Sequence, residues 1–437
     1  MRFFRLKKID HFLFLQIVKY LSTLTINVLL ARSPLNLYDL GQYETFLFLS
    51  STVSFFWVNG IVQNLLAVQP RIVNKINKRN SLYATGAILL LIFSIVSGMV
   101  IYLILFQNHT QGLFSLSKIY YLLLFIYSLI NPVTFLSDYI LLLEKRNKDI
   151  VGYGLANLGI PVSIITLPAF AGYGLYWCLA GLLVWTAIKL IYLIYLLKKY
   201  SLIRINPSEI KEYLSLSFPL ILVSLISGFA AYSDSLLINL NFTSSEFAVF
   251  RYGAREFPFF LILANALSAS MLSKLSASTA LPFHVNEIKE KSRRIILFCF
   301  PVAIILLICS KLIYFQLFNI KLLESYRIFD IYLLLIISRF AFPQTILAAM
   351  LKNKILMLVS TIELTVNISI SILLMSHFGI AGVAWGTVIA FVFEKILLAA
   401  IVWSKTGIRP NEYIALRELS IFTGIILTVY VIKIVGN

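Results

Sequence analysis

Long apolar runs separated by short polar connections extend along all 437 residues of the chain. Runs such as 87–102 and 295–308 contain no charged residue, and with their apolar flanks they reach the roughly 20 residues that cross a hydrocarbon core. The pattern predicts membrane-spanning helices at residues 11–32, 43–68, 82–106, 118–144, 149–170, 174–197, 213–240, 246–274, 295–315, 327–351, 355–377, 380–403 and 416–434. We therefore expect an all-α polytopic membrane protein, with its predicted helices numbered one to thirteen in this order.

The composition indicates that lipid surrounds most of the chain. Hydrophobic residues make up 60% of the sequence and charged residues 13%, whereas soluble domains are about half apolar and about a quarter charged. The three cysteines, Cys178, Cys299 and Cys309, lie in apolar segments, and the four histidines are scattered. Neither a disulfide framework nor a metal site is therefore predicted.

The net charge of +18 comes from basic clusters that fall in alternate connections between the predicted helices. The connections after even-numbered helices carry Arg71, Lys75, Lys78, Arg79, Lys145, Arg146, Lys148, Lys198, Lys199, Arg204, Lys211, Lys289, Lys291, Arg293, Arg294, Lys352, Lys354, Lys405 and Arg409. Lys321 is the clear basic residue among the other connections. Because positive loops stay on the cytoplasmic side, we expect a cytoplasmic N-terminus and read the charge as a topology signal, not as a nucleic-acid footprint.

Two short motifs recur at nearly the same spacing. The segment 132–136 (PVTFL) matches 343–347 (PQTIL), 343 − 132 = 211 residues later, and 174–177 (GLYW) matches 382–385 (GVAW), 382 − 174 = 208 residues later. The recurrence predicts an N-lobe of helices one to six at 1–205, a C-lobe of helices seven to twelve at 206–404, and an extra helix within 405–437. Parallel repeats of this kind place the substrate path between lobes. The alternative is chance, since Gly and Pro are common in membrane helices.

Polar residues with helical spacing fall on the first two helices of each predicted lobe. They are Gln16, Lys19, Thr23 and Asn27 in helix one, Thr52, Asn59 and Gln63 in helix two, Ser224, Ser227 and Asp234 in helix seven, and Arg251, Arg255 and Asn265 in helix eight. Residues three or four apart share one helix face. Charged residues inside a bilayer usually face a bundle interior or a water-filled cavity. The four helices are therefore expected to line the functional cavity.

The charges on these faces do not balance. Lys19, Arg251 and Arg255 stand against Asp234 and Glu256, so one cation is left for an anionic ligand or water. The alternative is that all five residues pair for stability alone.

Other ionisable residues fall elsewhere in the predicted helices. We expect Arg339 and Glu363 to form an ion pair, and Lys189 and Lys395 to extend towards the cytoplasm. Asp138 and Glu394 could bind a cation or cap neighbouring groups, and the sequence leaves that choice open.

Motifs of enzymes are missing from the sequence. It contains no HExxH, GxSxG or Walker loop, and no long connection carries a carboxylate pair. We therefore predict no enzyme activity and no ATP-driven transport by this chain alone.

Several segments resemble polysaccharide flippases of the multidrug, oligosaccharidyl-lipid and polysaccharide exporter superfamily. They are 40–43 (LGQY), 172–174 (GYG), 379–382 (GIAG) and 250–254 (FRYGA), and the resemblance spans nearly the whole chain in order and spacing. It implies an alternating-access fold with a cavity between lobes, lined by helices one, two, seven and eight. The implied activity is the transfer of undecaprenyl-pyrophosphate-linked oligosaccharide from the cytoplasmic to the periplasmic leaflet of the bacterial inner membrane.

One departure bears on the substrate. The flippases of lipid-linked peptidoglycan precursor in this superfamily typically carry an arginine pair early in helix one, where this chain has Gln16 and Lys19. The resemblance therefore favours an O-antigen or capsule-type glycan, as used in lipopolysaccharide and polysaccharide biosynthesis. The candidate substrate-binding residues are Lys19, Asn59, Gln63, Arg251 and Arg255, and the candidate ion-coupling residues are Asp234 and Glu256.

The expected partners are the lipid-linked oligosaccharide and membrane lipids, with no nucleic acid. Other glycan-assembly membrane proteins are candidate partners, and the chain is expected to act as a monomer. No cofactor is predicted, although transport could be coupled to an H⁺ or Na⁺ gradient. Two alternatives remain: a cation-coupled multidrug antiporter of the same superfamily, which would need an acidic and aromatic cavity, and a membrane glycan polymerase, which would need a long periplasmic loop.

Topology reporters test the predicted orientation. We expect fusions after Lys78, Lys148 and Arg294 to report the cytoplasm and fusions after His109 and Thr243 to report the periplasm, because the basic clusters set the orientation. Alkaline phosphatase and fluorescent-protein fusions measure this directly. Two contrary reporters among the five would contradict the assignment of helices to lobes.

Overall fold

The structure is a computed structural model that describes residues 11–68, 76–111, 114, 116–201, 207–277, 281–350 and 352–435. Its first helices are α1 (His11–Arg32), α2 (Leu37–Thr52), α3 (Phe55–Val68), α4 (Ile76–Gln111), α5 (Tyr121–Thr134), α6 (Leu136–Leu143), α7 (Asn147–Phe170) and α8 (Leu175–Tyr200). The remaining helices are α9 (Pro207–Asn241), α10 (Ser244–Gly253), α11 (Pro258–Ala277), α12 (Leu281–Phe318), α13 (Ser325–Leu333), α14 (Ile336–Arg339), α15 (Pro343–Ala349), α16 (Asn353–Phe378), α17 (Ile380–Thr406), α18 (Pro410–Tyr413) and α19 (Leu416–Val435). No strand occurs in these ranges, and the predicted all-α class is confirmed.

Within the described ranges, nine helices are long and apolar enough to cross a membrane. The number rises to eleven when two bent pairs, α2 with α3 and α13–α14 with α15, each count as one span. The remaining two predicted spans, 213–240 and 246–274, coincide with α9 and with α10 plus α11. The chain is a multi-pass membrane protein, and the number of thirteen crossings stays a prediction.

Four of the predicted spans are broken where we expected continuous helices. Prolines explain most of the breaks: Pro132 lies inside α5, while Pro258 and Pro343 begin α11 and α15. The ring of proline disfavours helical geometry in the residue before it, and Phe342 accordingly leaves the helical region with ψ 40°. Between α2 and α3 the Ser54 hydroxyl instead donates to the Ser50 carbonyl at 2.8 Å, a bond that often bends helices. The chain turns by 49° there.

The described residues form two compact units. The first comprises the chain up to Tyr232 together with Thr243–Ala248, and the second comprises Ser233–Phe242 and the chain from Val249 onwards. The division falls within α9, whose residues belong to both units. The lobe boundaries at 205/206 and 404/405 stay a prediction, because compactness groups residues by contact and carries no information about repeats.

The first unit is organised around an apolar core that includes α3 and the beginning of α9. Trp57, Ile61 and Leu65 on one face of α3 are almost completely buried. Tyr213 of α9 donates to the Ile61 carbonyl at 2.8 Å, and the Asn64 amide donates to the Tyr213 carbonyl at 3.1 Å. These bonds satisfy polar groups that lipid could not, and they fix α9 against α3.

The second unit contains a helical hairpin in which α16 and α17 pack closely. Gly379 joins the two helices with a φ of +58°, a conformation that glycine adopts without steric penalty. A Cβ atom at Gly382 would lie 2.3 Å from the Leu374 carbonyl oxygen, so only glycine allows the backbones to approach this closely. This contact brings polar residues of the two helices together, as described below.

Gly382→Ala tests this packing. The added methyl group would overlap backbone atoms, so we expect a loss of about 1–3 kcal/mol in stability and a lower melting temperature. Gly424→Ala in α19 is the matched control, because its Cβ would meet none of the described atoms within 4 Å. Thermal unfolding of the two variants in detergent measures the difference. Equal melting temperatures would contradict the packing of the hairpin.

Candidate functional site

Asp234 of α9 is the centre of a buried oxygen-rich cluster in the second unit. Only 6% of the residue is exposed. Its Oδ2 atom accepts hydrogen bonds from Thr387 of α17 and, at 3.0 Å, from Tyr332 of α13. Its Oδ1 atom is buried without a hydrogen-bond partner among the described residues. The carboxylate therefore has one lone-pair side available for a further partner.

Neutral oxygen atoms of α16 and α17 continue this cluster. The Asn367 amide donates to the Thr387 hydroxyl at 3.4 Å, and Ser371 donates to the Asn367 Oδ1 atom at 3.3 Å. Ser371 also lies 3.4 Å from the Val383 carbonyl. One carboxylate surrounded by hydroxyl, amide and carbonyl oxygens is a donor set that suits a hard cation. Of this cluster only Asp234 is predicted from the sequence, because its partners come together through the close contact of α16 with α17.

The two arginines of predicted helix eight do not lie on one helix face. Arg251 is in the last turn of α10, whereas Arg255 lies in the non-helical segment 254–257 before α11. The expectation of a continuous helix here is wrong, because Pro258 prevents Phe257 from continuing it. Arg255 Nε donates to the Arg251 carbonyl at 3.2 Å, a carbonyl near the C-terminal end of α10.

Both guanidinium groups lie near other polar or aromatic groups of the second unit. Arg251 Nη1 donates to the Ser235 hydroxyl at 3.3 Å, and Ser235 directly follows the Asp234 carboxylate in the chain. The Arg255 guanidinium lies 5.4 Å from the centre of the Tyr252 ring. Arg251 therefore lies close to the cluster around Asp234, and Arg255 lies beside Arg251 at the break between α10 and α11.

Glu256 forms its ion pair with Arg339 of α14. Its two carboxylate oxygens accept from Arg339 at 2.5 and 2.6 Å, a bidentate pair, and the Arg339 guanidinium lies 4.5 Å from the Phe391 ring centre. The predicted ion pair of Arg339 with Glu363 is wrong, because Arg339 binds Glu256 on the segment between α10 and α11. Glu363 instead keeps a buried Oε1 atom with no hydrogen bond to the described residues.

Lys19 of α1 forms an ion pair with Asp138 of α6 in the first unit. The Lys19 ammonium also lies 5.9 Å from the Phe135 ring centre and 5.5 Å from that of Tyr153. Of the two roles left open for Asp138, the observed contact is with a cation of the protein itself. The Asp138 side chain is almost fully buried and that of Lys19 is 25% exposed, so Asp138 holds the Lys19 ammonium in place.

Lys189 of α8 joins the same region. Its ammonium donates to the Asn131 Oδ1 atom at 2.9 Å and lies 5.9 Å from the Phe135 ring centre. Lys19 and Lys189 therefore flank Phe135 beside the break at Pro132. This position differs from the expectation that Lys189 extends towards the cytoplasm. Pro132 in predicted helix four was the sequence signal for this contact of Lys189, because a helix break exposes polar backbone groups that attract polar side chains.

The remaining candidates differ in exposure. Asn59 and Gln63 lie on an exposed face of α3, one turn apart, while the neighbouring Asn64 is buried in its bonds to α9. Lys395 was expected to extend towards the cytoplasm, and its ammonium lies 2.8 Å from the Glu394 carboxylate. Among the described residues, no three His, Cys, Asp or Glu side chains are grouped as a metal site would need.

Comparison with known proteins gives the family. The model of the family described as "Polysaccharide biosynthesis protein" matches residues 29–326, about two thirds of the chain. The chain belongs to this family. No curated protein sequence matches.

Solved structures share the fold at low sequence identity. A lipid II flippase, MurJ in an inward closed conformation, has a TM-score of 0.64 at 18% identity and covers 95% of this chain and 92% of its own. An inward-facing multidrug resistance MATE transporter of the MOP superfamily has a TM-score of 0.62 at 12% identity, and the match covers 89% of this chain and 94% of that one. A point mutant of the Vibrio cholerae MATE transporter VcmN has a TM-score of 0.50 at 13% identity, and the match covers 90% of this chain and 98% of that one. The expected superfamily is confirmed by the family and the fold together.

Proposed function

We propose that this protein is a flippase for undecaprenyl-pyrophosphate-linked oligosaccharide, which it moves from the cytoplasmic to the periplasmic leaflet by alternating access. The proposal places it in the bacterial inner membrane with a cytoplasmic N-terminus, in O-antigen or capsule-type polysaccharide biosynthesis. Membership of the polysaccharide biosynthesis family supports a glycan substrate. The proposal includes transport without enzyme chemistry, because the sequence contains no HExxH, GxSxG or Walker loop.

The observation that carries the proposal is the pair of arginines at the break between α10 and α11. Guanidinium is planar and grips phosphate oxygens with two parallel hydrogen bonds, which an ammonium group cannot reproduce. Because Glu256 is held by Arg339, the carboxylate nearest in sequence to Arg255 is already engaged by another cation. Arg251 and Arg255 are the residues that we propose to bind the pyrophosphate. Lys19, Asn59 and Gln63 of the first unit stay predicted substrate contacts.

A multidrug antiporter is the second candidate function, since MATE transporters share the fold. Organic cations bind best to acidic and aromatic surroundings. The arginines at the α10–α11 break and the two lysines beside Phe135 favour an anionic substrate instead. A glycan polymerase would show chain elongation in vitro, and a transport assay without elongation would exclude it.

Substitution of the arginines tests the headgroup site. We expect Arg255→Ala and Arg251→Ala to lose most glycan export and Arg255→Lys to retain part of it, because lysine keeps the charge but not the bidentate geometry. All three variants should insert at normal levels. Quantifying surface glycan and protein abundance in the same cells measures both effects.

The control for these variants is Glu256→Gln. If the arginines only balanced Glu256, the double substitution Arg255→Ala with Glu256→Gln would restore abundance and export. We expect no rescue, and loss of abundance from Glu256→Gln alone, because that change leaves Arg339 with a weakened partner. Rescue of export by the double substitution would contradict the binding role.

Ion coupling is the second part of the proposal, with a proton or Na⁺ bound at Asp234. A cation on the Oδ1 side would be held by the carboxylate and the neighbouring neutral oxygens, and it would change the balance between the open states. We expect Asp234→Asn to slow translocation in proteoliposomes and to flatten its dependence on the ion gradient. Glu290→Gln, at an exposed position of α12, is the matched control. Unchanged gradient dependence in the Asp234 variant would remove this residue from the mechanism.

A further inference from the structure

A cavity of about 480 Å³ in the second unit lies apart from the candidate substrate and ion-coupling residues, none of which lines it. It is enclosed by the first two turns of α13 and α17 and by the ends of α16 and α19. Most of its lining residues are apolar or aromatic, and they include Tyr326, Ile331, Phe378, Trp385, Tyr430 and Ile434. The volume is typical of pockets that bind small molecules. The cavity is therefore a candidate binding site to which the proposed transport function gives no role.

Positive charge is concentrated at this cavity. Arg327 and Lys433 line it, whereas Asp330 is the one carboxylate among its lining residues. The Tyr326 ring, which forms part of the wall, has three cations near its centre: Lys433 at 5.0 Å, and Lys311 and Arg327 at 6.0 Å. The lining thus carries more positive than negative charge, which favours an anionic ligand.

Lys433 of α19 has a structural role in the wall of the cavity. Its ammonium donates to the Asp330 Oδ2 atom at 2.6 Å, to the Ser310 hydroxyl at 2.5 Å and to the Leu307 carbonyl at 2.5 Å. An ammonium group has three N–H donors, so these three bonds use all of them. The pair neutralises Asp330 and fixes the end of α19 against α12 and α13.

Arg327 is the cation that a ligand can reach. Its side chain is 61% exposed, and it contacts Glu324, another exposed side chain, at 3.2 Å. Exposed pairs of this kind contribute little energy, so a phosphate oxygen can replace the Glu324 carboxylate at small cost. The planar guanidinium group then binds the phosphate with two parallel hydrogen bonds.

The apolar wall of the cavity indicates that the anion is part of a lipid. Phe378 and Ile434 are lining residues that are strongly exposed, and a free phosphate ion would leave both uncovered. Tyr326, Trp385 and Tyr430 all lie within two turns of a helix end, and such aromatic side chains are enriched at the level of lipid headgroups. Basic pockets between membrane helices are known to bind anionic headgroups.

We propose that this cavity binds an anionic phospholipid, whose phosphate group contacts Arg327 and whose acyl chain packs against Phe378 and Ile434. The inference is independent of the proposed transport function, because the cavity shares no residue with the proposed substrate and ion sites. A lipid bound here contacts α13, α16 and α19 together. It therefore stabilises the folded second unit by mass action.

Quenching of tryptophan fluorescence by brominated phosphatidylglycerol tests the site in the purified full-length protein in detergent. Trp385 lines the cavity, so the part of the quenching that Trp385→Phe removes reports on this site. We expect Arg327→Gln to need roughly tenfold more lipid for the same signal, because a hydrogen bond to a charged group contributes about that factor or more. Ala381→Leu should also weaken the signal, because it fills the cavity without changing its charge.

Arg146→Gln is the matched control for Arg327→Gln. Arg146 is also exposed and also pairs with a carboxylate three residues away, Asp149 at 2.8 Å, but it does not line the cavity. The control should titrate like the unmodified protein. Equal effects of the two arginine variants would overturn the contact between Arg327 and the phosphate group.

Two further probes identify the ligand. Brominated phosphatidylcholine, whose phosphate charge is balanced by its own ammonium group, should quench the Trp385 signal more weakly, and equal quenching would overturn the preference for an anionic headgroup. Inorganic phosphate at the same concentration should not displace phosphatidylglycerol, and displacement would overturn the assignment to a lipid. None of these measurements requires glycan, so failure of the export assays would leave this inference intact.

Discussion

The high cost of an unpaired charge in hydrocarbon determines how the charged residues of this protein are arranged. Each ionisable group in the spans must find a counter-charge, a set of hydrogen bonds, water or a ligand. Lys19 pairs with Asp138, Arg339 pairs with Glu256, and Lys433 of α19 pairs with Asp330 at 2.6 Å. These pairs join helices that are distant in sequence, so the same constraint that neutralises the charges also ties each unit together.

Breaks in the helices provide the polar surface that a polar ligand needs inside the membrane. A continuous membrane helix uses its backbone groups internally and offers little to a polar ligand, whereas a break lined by protein frees carbonyl and amide groups. The two cationic regions lie at such breaks: Lys19 and Lys189 beside Pro132, and Arg251 with Arg255 before Pro258. Proline thereby decides where along a span charged side chains can be accommodated.

The sequence predicted the elements better than the contacts between them. Helix one was expected at 11–32 and is observed there, because its boundaries depend on local hydropathy. The pairing of Arg339 was predicted wrongly, since Glu256 lies 339 − 256 = 83 residues earlier and helix packing decides whether it or Glu363 comes within reach. The position of Arg255 also differs from the prediction, because Pro258 interrupts a span that hydropathy alone predicts as one continuous helix. The candidate roles of Asn59, Gln63 and the arginines stay predictions.

Arg251 connects the proposed substrate site with the proposed ion site. Its guanidinium donates to Ser235, and the next residue towards the N-terminus is Asp234. Phe250, beside Arg251, also packs edge-on against the Tyr332 ring, whose hydroxyl donates to the Asp234 carboxylate. An anion bound at Arg251 and a cation bound at Asp234 would therefore act on adjacent residues of α9. Opposite charges attract, so binding of either would favour binding of the other, and thermodynamic linkage requires that the effect be mutual.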